Sequence, residues 1–199
     1  MADLVTKADY KGYKGIDHFK EDVKIDALLS PISQLVKTYC GTSFVDYYSS
    51  PYTEKFDIMD ASTQELFLTE SPLVAVTTIK ERDGIAASYI TLVNNTDYYV
   101  DAEHDRIYRI DGDKSVKSWA TGFSSVEVVY TAGYATTPQD LRLAIYDLIT
   151  YYLKEEYKGR KSLAGASIQN ETSTSITADI GFPDHIKRIL DMHRIVDVI

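Results

Sequence analysis

Residues 126–141 read Val-Glu-Val-Val-Tyr-Thr-Ala-Gly-Tyr-Ala-Thr-Thr-Pro-Gln-Asp-Leu. Val126, Val128 and Tyr130 lie two residues apart, which is the spacing of side chains on one face of a β-strand. Gly133 follows, and glycine holds a positive φ that would strain a β-branched residue. We therefore predict a strand that ends near residue 132 and a turn with positive φ at Gly133.

A helix is expected to begin directly after this turn. Thr137 can cap it, Pro138 fits its first position because proline has no amide hydrogen to lose, and Asp140 lies near the positive end of the helix dipole. With Gly159 as its stop, this helix would contain roughly 19 residues and span about 28 Å. Its apolar stripe at helical spacing consists of Leu141, Ile145, Leu148, Ile149 and Tyr152.

A motif in this stretch resembles a known family. Its residues are Tyr130, Gly133, Tyr134, Pro138, Asp140 and Leu141. In this order they resemble the strand-to-helix signature of tailed-bacteriophage head–tail connector proteins, also called adaptor or head-completion proteins. Residues 27–41, which end in Tyr-Cys-Gly, resemble the family's first long helix. Residues 182–194 resemble its terminal helix, although the family more often has Tyr where this chain has His193 before the arginine.

The resemblance implies a structural virion protein that brings no catalytic residues, metal or cofactor with it. Family members form rings, commonly twelve-fold, that dock on the portal vertex and join the DNA-filled head to the tail. The expected partners are further copies of the chain, the portal protein, a tail or stopper protein, and double-stranded DNA that passes transiently through the channel. The expected location is the head–tail interface of the virion, after assembly in the cytoplasm of the bacterial host.

Two other roles stay open at this point. One is another ring protein of the virion, such as a stopper or tail-completion protein. The other is a carbohydrate-binding or adhesion module, because the chain contains 16 tyrosines and tyrosine is common at binding surfaces as well as in strands.

The composition favours a globular protein with an acidic surface. Of its 199 residues, 44% are hydrophobic and 12% are aromatic, which is enough for a substantial core. The formal net charge of −9 argues against a protein that wraps DNA, because acidic side chains repel phosphates. In a connector, acidic residues along the channel would keep DNA from sticking to the wall.

The cysteine content and the lack of long apolar runs indicate the cellular compartment in which the protein is expected. Cys40 is the single cysteine, so no internal disulfide can form, which suits a reducing cytosol. Without a histidine-based constellation beside it, Cys40 is expected to be a small core residue at a helix end. The N-terminus lacks a basic region followed by an apolar run, so no secretion signal is expected. No segment approaches 18 consecutive apolar residues, so no membrane-spanning helix is expected.

Two helices are predicted before the β-rich region. Residues 3–20 contain Tyr-Lys-Gly-like repeats that lack the spacing of a phosphate-binding loop, so we expect a short helix ended by glycine. Residues 22–39 carry an apolar stripe at helical spacing that ends at Gly41. Pro31 interrupts this stripe and predicts either a kink or two helices, with Ser30 capping the second.

The region from 44 to 130 is rich in β-branched and aromatic residues, with turn pairs every 8–12 residues. Asp-Gly and Asn-Asn pairs supply turn chemistry, so the strands are expected to form an antiparallel sheet or a small sandwich. The predicted strands cover residues 53–58, 65–68, 74–80, 89–93, 97–100, 106–110 and 125–130.

These patterns together predict an α+β fold. An N-terminal helix, a long central helix and a C-terminal helix would form a helical bundle, with the antiparallel β-sheet inserted between the first and central helices. The predicted parts are residues 1–43 (N-terminal helical part), 44–130 (β insertion) and 131–199 (C-terminal helical part), with a flexible loop at 159–181.

The acidic run around residue 103 is the strongest candidate for a metal or catalytic site. Asp101, Glu103 and His104 could serve a hydrolase, and Asp111 and Asp113 add further oxygens for calcium. The spacing lacks the glycine and the terminal glutamate of a calcium-binding loop. We therefore interpret the run as a solvated acidic hairpin and expect no enzyme activity.

The candidate portal-docking region is the loop 159–181 together with the helix that begins near Pro183. The loop is polar and rich in small residues, so it has little apolar surface with which to order itself. His193 lies on the helix face of Ile186 and is expected to be packed rather than to bind a metal. The cations available for docking are Arg160, Lys161, Lys187, Arg188 and Arg194.

Overall fold

This computed structural model describes residues 2–154 and 182–195, which contain four helices and seven strands. The helices are α1 (Lys7–Lys14), α2 (Asp22–Cys40), α3 (Gln139–Leu153) and α4 (Asp184–Met192). The strands are β1 (Tyr52–Ile58), β2 (Glu65–Phe67), β3 (Leu73–Glu81), β4 (Ile90–Thr91), β5 (Tyr98–Asp101), β6 (Arg106–Arg109) and β7 (Gly122–Ala132). The chain divides into a helical unit, Met1–Thr42 with Thr137–Ile199, and a β unit, Ser43–Thr136. An α+β fold with antiparallel sheets is confirmed.

Helix α1 has well-formed ends. The Thr6 hydroxyl accepts the Asp9 amide at 3.1 Å, and the Asp9 carboxylate accepts the Thr6 amide at 3.2 Å, a reciprocal cap. Gly15 ends the helix with a φ of 65°, as left-handed glycine commonly does. The prediction of a short first helix ended by glycine is confirmed.

Helix α2 runs without interruption through Pro31, which decides between the two alternatives left by the sequence. Proline removes one backbone hydrogen bond. Its neighbours Leu29 and Ile32 are buried, and burial of such a side chain stabilises the fold by roughly 1.5–3 kcal/mol. Ser30 therefore lies inside one helix and does not cap a second one.

Helix α3 differs from its prediction at its beginning. Thr137 does not cap the helix: it is buried, and its hydroxyl donates to the Leu4 carbonyl. Pro138 precedes the first helical residue, Gln139, and provides no side-chain cap. The Thr137 hydroxyl, which the local sequence predicted to cap the helix, instead forms a hydrogen bond with Leu4, a residue distant in sequence.

The length of α3 also differs from expectation. The structure shows 15 residues in α3 against roughly 19 predicted, and residues 155–158 of the predicted helix lie outside the described range. The longest described helix is α2, with 19 residues. The bundle around a long central helix is thus not confirmed.

Apolar residues of all four helices fill the core of the helical unit. Leu141, Ile145, Leu148 and Ile149 are completely buried along one side of α3, which confirms most of the predicted stripe. No helix within residues 2–154 and 182–195 combines the length and the apolar character that crossing a membrane requires. The fully or nearly fully buried residues of the other helices are Tyr10, Ile25, Ile32, Val36, Cys40, Ile186 and Leu190.

The β unit contains two antiparallel sheets. One has the strand order β1-β7-β3-β4 and the other β2-β6-β5. The long strand β7 pairs with β1 on one side and β3 on the other, so that Tyr130 lies opposite Tyr52 and Val76. The predicted strand at 89–93 is reduced to Ile90–Thr91.

Side chains from both sheets form one apolar cluster, so the small sandwich is the alternative that the structure supports. From the four-stranded sheet it takes Ile79, Val126, Val128 and Tyr130, all completely buried. The three-stranded sheet contributes Leu66, Tyr98 and Ile107. The period-two pattern at Val126, Val128 and Tyr130 therefore marks the inner face of β7.

Candidate docking site

The turn at the end of β7 is held by three consecutive backbone amides. Ala132 donates to the Tyr47 carbonyl at 3.0 Å, Gly133 to Pro72 at 2.8 Å and Tyr134 to Phe44 at 2.7 Å. Gly133 has a φ of 99°, as predicted. A Cβ atom at this position would lie 2.1 Å from the Phe44 carbonyl oxygen. The glycine of the motif is therefore required by conformation and by close backbone packing.

Tyr130 supports the same turn from within the β unit. Its completely buried hydroxyl donates to the Glu54 carboxylate at 2.7 Å and accepts the Glu70 amide at 3.1 Å. Burial raises the pKa of this phenol well above its ordinary value. The Glu70 carboxylate in turn accepts both the amide and the hydroxyl of Ser43. Tyr130 and Gly133 thus serve the fold, whereas the Tyr134 side chain is exposed.

The helical part of the motif connects to α4. Leu141 is completely buried, and the Pro138 carbonyl accepts the Arg142 amide. The Asp140 carboxylate lies 2.9 Å from His193 Nε2. Although partial burial alone would raise the pKa of Asp140, the hydrogen bonds from His193 and the Leu141 amide lower it below its ordinary value. His193 is therefore a packed residue in a hydrogen bond, as predicted.

Helix α4 is held against α2 by both apolar and polar contacts. Ile186 and Leu190 are buried, and the Tyr39 hydroxyl donates to the Asp191 carboxylate. The Cys40 carbonyl accepts the Ile195 amide at 2.9 Å. These contacts leave the opposite side of α4 facing outward.

The cations predicted for docking fall into two groups. Lys187 is half-buried, Arg188 is exposed, and the exposed Arg194 places its guanidinium 5.4 Å from the Tyr39 ring centroid. Arg160, Lys161 and the loop 159–181 lie outside the described residues. The structure thus brings Lys187, Arg188 and Arg194 onto α4 and the residues that follow it.

Sequence reasoning missed Asp191, the acidic residue among these cations. It follows Lys187 by four residues, so these two side chains fall on one side of α4, and Arg194 follows three residues later, beyond the end of the helix. Burial, followed by the hydrogen bond with Asp191, raises the pKa of Tyr39, while Lys187 and Arg194 act in the opposite direction. The helical spacing of these charges was the signal that could have found it.

The acidic run forms the β5–β6 hairpin. Asp101 pairs with His104 at 2.9 Å, and Asp105 accepts the Ser71 hydroxyl at 2.6 Å and the Leu73 amide. Glu103 is exposed. Within residues 2–154 and 182–195, no group of acidic, histidine or cysteine side chains is arranged to hold a metal ion. These side chains close a turn, which agrees with the hairpin interpretation.

Cys40 is completely buried, and its thiol points to the Leu190 carbonyl at 3.6 Å. Burial raises the pKa of this thiol to about 12, so the reactive thiolate scarcely forms at neutral pH. Cys40 is a core residue at a helix end, as predicted.

A hollow of about 480 Å³ lies on the outer side of the three-stranded sheet. Tyr99 and Tyr108 face each other across the β5–β6 pair, and Ile110 and Val116 complete an apolar wall. A carbohydrate-binding role could use this hollow, where tyrosine rings and the polar Asn95 come together.

Comparison with known proteins gives consistent results over nearly the whole chain. Residues 3–196 match the sequence profile of the head completion protein family. The head completion protein of Escherichia phage T5 is 24% identical over 193 residues, which is 96% of this chain and 98% of that protein.

Solved structures of similar fold come from the neck of gene transfer agent particles. A chain in the neck of the empty particle, computed with C6 symmetry, has a TM-score of 0.61 at 16% identity and covers 98% of this chain and 92% of its own length. A chain in the neck of the native particle, computed with C12 symmetry, has a TM-score of 0.57 at 16% identity, with coverages of 100% and 97%. At this identity the likeness establishes the fold.

Proposed function

Since the chain belongs to the head completion protein family, we propose that it is a structural virion protein that forms a ring on the portal vertex and joins the DNA-filled head to the tail. The observation that carries the proposal is the extent of the family match, residues 3–196, which includes both the helical unit and the β unit. The T5 relative, matched over 98% of its length, bears a name that describes completion of the head.

Ring formation is the second part of the proposal. The neck chains of similar fold belong to particles computed with C6 and C12 symmetry. A contact between two different surfaces of the chain, repeated from one identical subunit to the next, closes into a ring when the rotation allows it. We assign twelve copies to the ring, around a channel through which double-stranded DNA passes.

The portal-facing surface is assigned to α4, the residues after it and the loop 159–181. Helix α4 is fixed on α2 through Tyr39 and Asp191, so its outward cations keep defined positions. Arg188 and Arg194 are exposed in a protein with a net charge of −9. Such cations favour an acidic rim on the portal, since complementary charge fixes the orientation of docking and speeds association.

The protein acts in this role without catalysis. Asp101, His104 and Asp105 form hydrogen bonds within or beside the β5–β6 hairpin, an arrangement that stabilises a turn. The acidic balance of the chain also suits a channel wall that DNA must pass without sticking, because like charges repel.

Infection without the protein tests the proposed function. Cells infected by a phage that lacks the gene should accumulate DNA-filled heads and free tails, counted by electron microscopy. Purified protein added to an extract of these cells should restore tailed, infectious particles. Normal yields of tailed particles in the absence of the protein would contradict the proposal.

A further inference from the structure

Four large apolar side chains lie exposed at one end of the four-stranded sheet. Met59, Ile85, Ile90 and Phe123 are each between 60 and 70% exposed, and we name them the distal patch. Met59 follows Ile58, which pairs with Gly122 at the beginning of β7. Ile90 pairs with Glu81 at the end of β3. The register of the sheet therefore places Met59, Ile90 and Phe123 at the same end, and Ile85 lies in the segment that joins β3 to β4 at that end.

Arg82 fixes the backbone beneath this patch. Its guanidinium donates to the carbonyls of Ile85 and Phe123, both at 3.2 Å, and to that of Ser124 at 3.0 Å. The Tyr89 ring lies 4.6 Å from the same guanidinium, and its hydroxyl donates to Ser124 at 2.6 Å. The partly buried Arg82 thus joins two separate chain segments. It keeps the backbone of Ile85 close to that of Phe123, while both side chains remain exposed.

The distal patch lies far from the places where the chain enters and leaves the β unit. Strand β7 begins at Gly122 beside the patch and ends at Ala132, four residues before the unit ends at Thr136. Its 11 residues extend over about 33 Å, at roughly 3.3 Å per residue. The patch is therefore at the end of the β unit opposite its two chain connections.

Carboxylates surround the distal patch. Asp57, Asp60 and Asp83 are exposed near its members; Asp57 accepts the Ser124 amide and Asp60 the Ser62 amide. None of the three forms an ion pair with a cation of the described chain. Because Arg82 is occupied by backbone carbonyls, the rim of the patch is acidic.

We infer that the distal patch binds the tail-side protein of the neck, through an apolar hollow on that partner with lysine or arginine at its edge. This inference rests on the proposed function. Contiguous exposed apolar surface within a polar rim is typical of a protein interaction site. Two distal patches facing each other would oppose like charges, which disfavours a symmetric contact between copies. An acidic rim also does not suit the acidic portal rim proposed for α4, which leaves the tail-side protein as the occupant.

The test uses heads purified from an infection that lacks the protein, together with purified tails. The double variant Ile85→Ser, Phe123→Ser is compared with the wild type and with Val74→Ser. Val74 is an exposed aliphatic residue of β3 near its opposite end. Two readouts are taken: the amount of protein that sediments with the heads, and the number of tailed particles. The double variant should bind heads normally but reduce tail joining at least tenfold, while Val74→Ser should do neither.

Unchanged tail joining by the double variant would overturn the inference. So would sedimentation velocity showing that wild-type subunits associate through these two residues, because the patch would then belong to a second copy. If wild-type protein itself neither binds heads nor supports tail joining, the proposed function fails first, and the two failures are thereby distinguished.

A charge variant keeps the inference testable should the double variant fold poorly. Asp83→Lys changes an exposed residue and should slow tail joining at low salt by several-fold, with the difference shrinking at high salt because ions screen exposed charges. Equal rates for Asp83→Lys and wild type at low salt would contradict a basic edge on the partner.

Discussion

The two halves of the motif at residues 130–141 hold their neighbours by different means. In the strand half, Tyr130 buries its hydroxyl between Glu54 and Glu70, and Gly133 packs its backbone against Phe44. In the helix half, Asp140 reaches His193 with a side chain of which half remains exposed. The first half depends on close packing, whereas the second combines the buried Leu141 with a polar contact at the surface.

This difference separates folding from assembly. Close backbone packing allows no adjustment, so the strand half is expected to matter for stability whatever the protein binds. The contacts around α4 combine the buried Ile186 and Leu190 with polar, partly exposed pairs. Arg188 and Arg194 are available for a partner. Substitutions in the strand half should therefore unfold the β unit, whereas those near α4 should leave the fold intact and affect docking.

The largest effect is expected for Gly133→Val. The new side chain would need a positive φ, and its Cβ would lie 2.1 Å from the Phe44 carbonyl oxygen. We expect a loss of at least about 3 kcal/mol in the free energy of unfolding, measured by denaturant titration.

Gly15→Ala is the matched control. Gly15 also has a positive φ, of 65°, but no atom lies within 4 Å of a Cβ built there. Only the conformational cost applies, roughly 1–2 kcal/mol. If the two variants lost the same stability, close packing at Gly133 would not be the reason for the glycine.

Tyr130→Phe should have the next largest effect. It removes the hydroxyl that donates to Glu54 and accepts from Glu70. The partly buried Glu70 amide then loses this acceptor, and the Glu54 carboxylate is left with its bonds from Thr69. A loss of about 1–3 kcal/mol is expected in thermal or denaturant unfolding. Tyr99→Phe, at an exposed position of the same unit, should change stability by less than about 0.5 kcal/mol. Equal losses in both variants would refute the bridging role of Tyr130.

The sequence predicted the features that depend on residue type and on neighbours near in sequence. Positive φ at Gly133 follows from residue type and position in a turn. The nearness of Phe44 could not be predicted, since it comes from a segment about ninety residues earlier in the chain. The Thr137 cap failed for a similar reason, because the distant Leu4 carbonyl accepts its hydroxyl. Ile85 and Phe123 lay outside the predicted strands, and only the hydrogen bonds from Arg82 to both of their carbonyls show that they lie close together.

Arg188→Glu combined with Arg194→Glu tests the helix side of the comparison. Both residues are exposed, so the subunit should fold normally while its affinity for purified portal falls about tenfold, equivalent to roughly 1.4 kcal/mol. Lys20→Glu with Lys24→Glu makes the same change in charge at exposed positions outside α4. Equal weakening by both pairs, measured by co-sedimentation, would show a general charge effect and no docking site at α4.

Asp140→Asn should have the smallest effect. The carboxylate is half exposed, so the expected loss at neutral pH is less than about 1 kcal/mol. The folded state lowers the pKa of Asp140 below its ordinary value of 3.8, so its contribution is present above that pH and is lost as the pH falls through the lowered pKa. The stability difference from wild type should shrink below pH 3.8. A difference that grew on acidification would contradict the stated contact.

A reconstruction by electron microscopy of DNA-filled heads, purified with this protein bound and without tails, tests the central claim most directly. We expect a twelve-fold ring of this chain on the portal vertex, with α4 facing the portal. Density for the chain at another site of the particle, or a portal vertex that is bare while the protein is present elsewhere in the virion, would contradict it.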